Sequence, residues 1–187
     1  MDQDTQHLFP YSEYILKDLI LACIELSEPH VGACTLSIQH KLRQQTIICL
    51  TTAMDNNSIN LTTDSQVAVQ SMLLDNLQNH DEHIRQLSVA AMVAFLNRYL
   101  TEPESERETI CIKTLLARAN DEKKNVILAL YTHLPSLAGV LSSQGLQLTR
   151  EAVISQCGFF TTQRDIQLLV RCLTLLSDSK VNPYERL

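Results

Sequence analysis

The stretch HDEHIRQLSVAAMVAFL, His80–Leu96, decides how this chain is read. It opens on an acidic turn, sets an arginine just inside a helix start, and runs on through small and apolar residues. An aspartate at such a turn accepts hydrogen bonds from backbone N–H groups that the first helical turn leaves unpaired. The small side chains of Ser88, Ala90, Ala91 and Ala94 let a second helix approach closely. Forty residues on, NDEKKNVILALYTHL (Asn120–Leu134) repeats the arrangement, with Asp121-Glu122 in place of Asp81-Glu82. A further copy, TTQRDIQLLVRCLTLL, begins at Thr161. Basic residues near the helix starts fall at Arg43, Arg85, Lys124 and Arg164, at intervals of 42, 39 and 40.

A period near 40 residues, built from two helices each, is the sequence signature of HEAT and armadillo arrays. One helical hairpin cannot bury its apolar face alone, and stacking hairpins makes a continuous core. The expected fold is therefore all-α, an α-solenoid of about four HEAT- or armadillo-like hairpins at 12–54, 64–100, 105–134 and 146–177. These form one array over 1–187, with 178–187 as a polar tail. Asp81 and Asp121 are expected to cap helices. Each basic residue is expected to pair with an acidic turn residue of the neighbouring repeat, giving a partly exposed ladder that sets the repeat spacing.

Outward from that stretch, eight helices are read. The first spans about 12–26, and the second about 36–54 with Ile38, Leu42, Ile48 or Cys49, and Leu50 inward. The third starts near Asp64, and the fourth is the opening stretch, running to about Leu100. The fifth runs from a Ser105 cap to about Ala119. The sixth spans about 122–134, where Pro135 ends or kinks it. The seventh spans about 148–157, GFFTTQ is a linking segment, and the eighth spans about 162–177. INLTT is too short and isolated to build a sheet.

Composition agrees with helices. Of 187 residues, 45% are hydrophobic, 5% are aromatic and none is tryptophan, while Gly and Pro number four and five. A net charge of -6 makes phosphate neutralisation unfavourable, so nucleic acid is not an expected partner. No segment approaches the roughly 20 apolar residues of a membrane span, and the acidic N-terminus is unlike a signal or transit peptide. The triplets at Asn56 and Asn60 are read as chance matches in a polar loop. The six cysteines form no C-x-x-C pair and are read as reduced core thiols of a cytoplasmic protein.

No catalytic constellation emerges. His80 and His83 could hold a metal with nearby carboxylates, but they sit in a charged turn and are read as solvated. Glu102, Glu104 and Glu106 form a loop of like charge without a basic partner. Phosphate-loop, dinucleotide, nucleophile-elbow and zinc-protease motifs are absent. No catalytic, cofactor or metal residue is expected. The singled-out residues Arg43, Asp81, Arg85, Asp121, Lys124, Arg164 and Asp165 are ladder or partner-facing charges.

The wording of the segments is narrower than a generic array. LRQQTIICLTTAM (Leu42–Met54) and VQSMLLDNLQNHDEHIRQLSVAAMVAFLNRYL (Val69–Leu100) resemble the central-to-late HEAT array of tubulin-folding cofactor D. An acidic Glu-Pro loop follows, then a helix, then LALYTHLP (Leu128–Pro135), in that family's order. FTTQRDIQLLVRCLTLL (Phe160–Leu176) resembles the family's Arg-Asp helix and keeps Arg164 and Asp165, with Ile166 and Gln167 replacing its Gly and Lys. The resemblance covers about three-quarters of the chain. The family's downstream phrase Gly-Asp-Val-Gly-x-Trp-Val-Arg does not occur, which implies a segment or truncated form.

The resemblance implies a protein that assembles or disassembles the αβ-tubulin dimer by gripping β-tubulin. It would act with other tubulin cofactors and an Arf-like small GTPase, in the cytoplasm and at the cytoskeleton. No tubulin-contacting residue carries over individually. Two other readings stand beside it: an unrelated HEAT or armadillo adaptor of the transport or phosphatase type, and a small helical enzyme or metal protein.

Overall fold

The computed structural model describes residues 18, 33–101, 105–178 and 181. Seven α-helices account for most of them: α1 (Ala33–Asp55), α2 (Thr63–Leu77), α3 (Glu82–Tyr99), α4 (Glu106–Leu116), α5 (Lys124–His133), α6 (Ser143–Gln163) and α7 (Ile166–Leu176). Short 3-10 turns at Ala117–Asn120 and Leu134–Gly139 follow α4 and α5. Among the described residues there is no strand, and no helix is long and apolar enough to cross a membrane. The expected first helix lies outside the described residues apart from Asp18, which is helical and exposed. Glu102 and Glu104 of the acidic loop also lie outside them, as does most of the 178–187 tail.

Local chemistry explains where these helices begin. Thr62, Asp81, Ser105, Ser142 and Asp165 each accept a backbone N–H from the first turn of α2, α3, α4, α6 and α7 respectively. Two ends use left-handed residues other than glycine. Asn57 (φ 54) closes α1, and Arg164 (φ 56) closes α6. In each case the next amide reaches back five residues, Ser58 to the Ala53 carbonyl and Asp165 to the Phe160 carbonyl, which satisfies a terminal carbonyl.

The helices pack in two rows. α1, α3, α5 and α7 lie in sequence along one, and α2, α4 and α6 along the other. α2 packs on α3 and α6 on α7, while α4 meets α5 chiefly through the 117–120 turn. The core runs between the rows. α3 is its most enclosed member, burying Ile84, Val89, Met92, Phe95 and Leu96 because α1 and α5 flank it. α5 and α6 are joined by an edge-on contact of Tyr131 and Phe160, with ring centroids 6.1 Å apart.

Three expectations need correction. GFFTTQ is helical rather than a link: α6 runs through it to Gln163, because burial of Val153, Gln156 and Phe160 outweighs the roughly 1 kcal/mol penalty of Gly158 in a helix. The reversal happens within two residues, Arg164 in the left-handed conformation and Asp165 as the next cap. On α1 the inward face is Ile47, Leu50 and Met54, whereas Ile48 is 38% exposed and Cys49 is exposed. Asp121 does not cap α5, which starts at Lys124 after an uncapped Lys123; its carboxylate is engaged elsewhere.

Candidate functional site

The charged residues of the inter-helix turns form a seam along the α1–α3–α5–α7 row. Its centre is Arg85, which is 5% exposed although it is an arginine. A buried guanidinium persists only when its donors are satisfied. Here Nε donates to Asp121 Oδ2 at 2.8 Å and Nη2 to Asp121 Oδ1 at 2.7 Å. Nη1 donates to the carbonyls of Asn79 and His80 at 2.9 and 3.0 Å. Asp121 also accepts from Arg118 at 3.2 Å and from the Lys123 amide at 3.0 Å.

One buried carboxylate thus ties the turn before α3 to the turn before α5. Burial acts to raise the Asp121 carboxyl, but the Arg85 and Lys123 hydrogen bonds and the nearby guanidinium charges outweigh it and hold it below the usual carboxylate value. The Arg85 guanidinium is pushed further up by the same hydrogen bond, against its own desolvation.

Two further pairs continue the seam. Lys124 Nζ lies 2.7 Å from Asp165 Oδ2, a half-exposed contact between the starts of α5 and α7. The Lys124 bond, with the Leu168 amide, lowers the Asp165 carboxyl. On the other side Asp81 Oδ2 lies 3.5 Å from His40 Nε2, and the Gln44 side-chain amide lies 2.8 Å from the same nitrogen. Burial would raise Asp81, but the Ile84 amide at 2.9 Å and the adjacent His40 hold it low.

The structure therefore brings together Arg85 with Asp121 and Lys124 with Asp165. Asp81 faces His40, which sequence reading missed, rather than Arg43. Among the described residues Arg43 and Arg164 make no ion pair: Arg43 is half-buried on α1, and Arg164 is an exposed turn residue. The central pair is also far more buried than the partly exposed ladder anticipated, with side chains 7% and 2% accessible. A usable signal for His40 was present, because it precedes Asp81 by 41 residues, as Lys124 precedes Asp165.

Two other polar residues were not anticipated. Arg98 donates to the Ile59 carbonyl at 3.0 Å, to Asn60 Oδ1 at 2.9 Å and to Asn57 Oδ1, pinning the loop between α1 and α2. Glu108, 1% exposed, accepts the Ser142 amide at 2.8 Å and so ties α4 to the start of α6.

The seam offers coupling rather than chemistry. Its carboxylates at Asp81, Asp121 and Asp165 are all lowered, the opposite of a carboxyl poised as a general acid. Among the described residues no three His, Cys, Asp or Glu side chains are placed to share a metal ion. A surface groove of about 600 Å³ lies along α6, lined by Ser143, Leu146, Gln147, Arg150, Glu151 and Ile154 with Val181, and takes in none of the seam residues. Beside the seam, the α3–α5 step carries surface hydrogen bonds from Asn125 to Glu82 at 2.9 Å and from Asn97 to Ser136 at 3.1 Å. Comparison of the chain with protein-family models, with curated proteins and with solved structures found no match.

Proposed function

We propose that this chain is a HEAT-type α-solenoid segment that holds a protein partner along its α1–α3–α5–α7 row, and that the partner is β-tubulin within the αβ dimer. The observation that carries the scaffold reading is the seam. Acidic turn residues at 81, 121 and 165 each meet a basic side chain from the preceding helix of the same row, His40, Arg85 and Lys124 respectively. Such rungs fix the spacing of repeats and give the row a defined curvature. A partner is then recognised by shape and charge along exposed residues such as Gln45, Asn125, Gln167 and Arg171.

The tubulin part rests on the sequence resemblance to tubulin-folding cofactor D. In this reading the chain performs no bond chemistry, and GTP hydrolysis belongs to tubulin and to an Arf-like GTPase that acts with it. The row and seam serve an unrelated HEAT or armadillo adaptor equally well, so the partner has to be tested directly. Purified αβ-tubulin is titrated against the immobilised chain. Saturable binding that weakens with Asn125→Asp and Arg171→Glu, both on the exposed side of the row, supports the reading. Binding absent from the chain and from versions extended at either end sinks the tubulin assignment and leaves the adaptor.

A further inference from the structure

α6 and α7 form an antiparallel hairpin that reverses at Arg164 and Asp165. Cys157 lies seven residues before Arg164, and Cys172 lies seven residues after Asp165. At the helical rise per residue both stand about 10 Å from the reversal, at one level on two packed helices. Their thiols are hydrogen-bonded to each other. Cys172 is fully buried, and its sulfur also lies against the Tyr131 hydroxyl of α5. Cys157 is half-buried, and its neighbour Gly158 is exposed, with nothing within 4 Å of the place a Cβ would take. This arrangement admits a small molecule to Cys157 and withholds Cys172 from it.

Two thiols aimed at each other across a hairpin are what a disulfide requires, since its short bond tolerates little misalignment. We propose that Cys157 and Cys172 form a redox-modification site, which reacts with a small disulfide of the glutathione type and ends as a Cys157–Cys172 bond stapling α6 to α7. The reaction runs as two exchanges. The Cys157 thiolate attacks one sulfur of the small disulfide, forms a mixed disulfide and releases one small thiolate, which takes up a proton. Cys172 then gives up its proton and attacks the Cys157 sulfur, which releases the second small thiol. The protein dithiol is oxidised, the small disulfide is reduced to two thiols, and these carry away both thiol protons.

The order of the exchanges follows from exposure, because only Cys157 is open to a molecule from solution. Burial pushes the Cys157 thiol up, against a hydrogen bond that the Cys172 thiol donates to its thiolate. Burial pushes Cys172 up to about 12. Thiolate is therefore scarce and exchange is slow at neutral pH. The site answers to a sustained oxidising shift rather than to a brief one.

Incubating the full 187-residue chain with oxidised glutathione, followed by acid quenching and peptide mapping without reduction, tests this. The expected product is a peptide pair joined through Cys157 and Cys172, formed about tenfold faster at pH 8 than at pH 7. It raises the melting temperature by about 5 °C or more, and a thiol reductant reverses the rise. Cys157→Ser removes the link and the thermal shift together. Cys172→Ala leaves Cys157 as the mixed disulfide with glutathione, the signature of the first exchange. Should that core variant lose its helical circular dichroism, Cys157→Ser at the half-buried position carries the test alone. A folded chain that yields no such link, or yields it only in urea, overturns the proposal. So does a parent chain in which Cys157 stops at the mixed disulfide or pairs with another cysteine.

Discussion

Arg85 and Asp121, 36 residues apart in sequence, meet through two parallel hydrogen bonds of 2.8 and 2.7 Å with both side chains almost wholly out of water. Removing either partner strands a buried charge. Arg85→Ala and Asp121→Asn are each expected to lower unfolding stability by about 3–5 kcal/mol in urea titrations. Arg85→Met with Asp121→Leu together should recover most of that loss, since an apolar pair of similar volume avoids the desolvation penalty. A double variant whose loss is the sum of the two single losses would show that the fork is not a coupled unit.

The same carboxylates govern acid stability. Asp81 and Asp121 are both held below the ordinary value of 3.8 in the folded chain. As pH falls, the unfolded chain takes up protons before these groups do, so their contribution is complete above about pH 5 and is lost as pH drops through 4 towards their depressed folded values. Thermal unfolding should be insensitive to these groups between about pH 5.5 and 8 and fall steeply below about pH 4. A maximum of stability at pH 4 would contradict the assignment.

Two glycines of α6 are expected to behave oppositely. A Cβ on Gly145 would sit 2.5 Å from Glu108 Oε1 and 3.3 Å from Leu141 Cβ, whereas one on Gly158 meets nothing within 4 Å. Gly158→Ala should stabilise by about 0.5–1 kcal/mol through helix propensity. Gly145→Ala should destabilise by about 1–3 kcal/mol, because the buried Glu108 must give up its position against the Ser142 amide. Calorimetric melting points of the two variants on opposite sides of the parent are the test.

Thiol reactivity should follow burial. Burial pushes the Cys111 thiol up to about 11 and the Cys172 thiol up to about 12, while Cys49 is exposed. At pH 8, alkylation followed by peptide mapping should modify Cys49 before Cys111 and Cys172. Cys111 and Cys172 should react only at the rate of unfolding. Rapid labelling of Cys172 in the folded chain would contradict the packing of α7 on α5.

Much of this architecture was legible in the chain because it is written in local signals. Ser105, with acidic residues behind it, announces the start of α4, and Asp81 announces α3, since a cap needs only its own turn. The forty-residue echo of Asp81-Glu82 in Asp121-Glu122 located the turns that hold the seam. The linking segment expected at GFFTTQ failed for the complementary reason. Gly and Thr weaken a helix locally, but Phe160 packs on Tyr131 from another helix, and no window of sequence contains that contact.

For the described residues the sequence by itself determined the helices, most of their starts, the spacing of the acidic turns and the presence of basic side chains about forty residues away. Tertiary structure alone decided which basic side chain meets which acid. His40 rather than Arg43 reaches Asp81, and Asp121 gives up a capping role to bind Arg85. It also decided that this central pair is buried while Lys124 and Asp165 stay half in water. Capping and helix propensity act within a few residues of backbone. The pairing and desolvation of a charge depend on which neighbouring helix excludes the solvent, and that is set only when the rows pack.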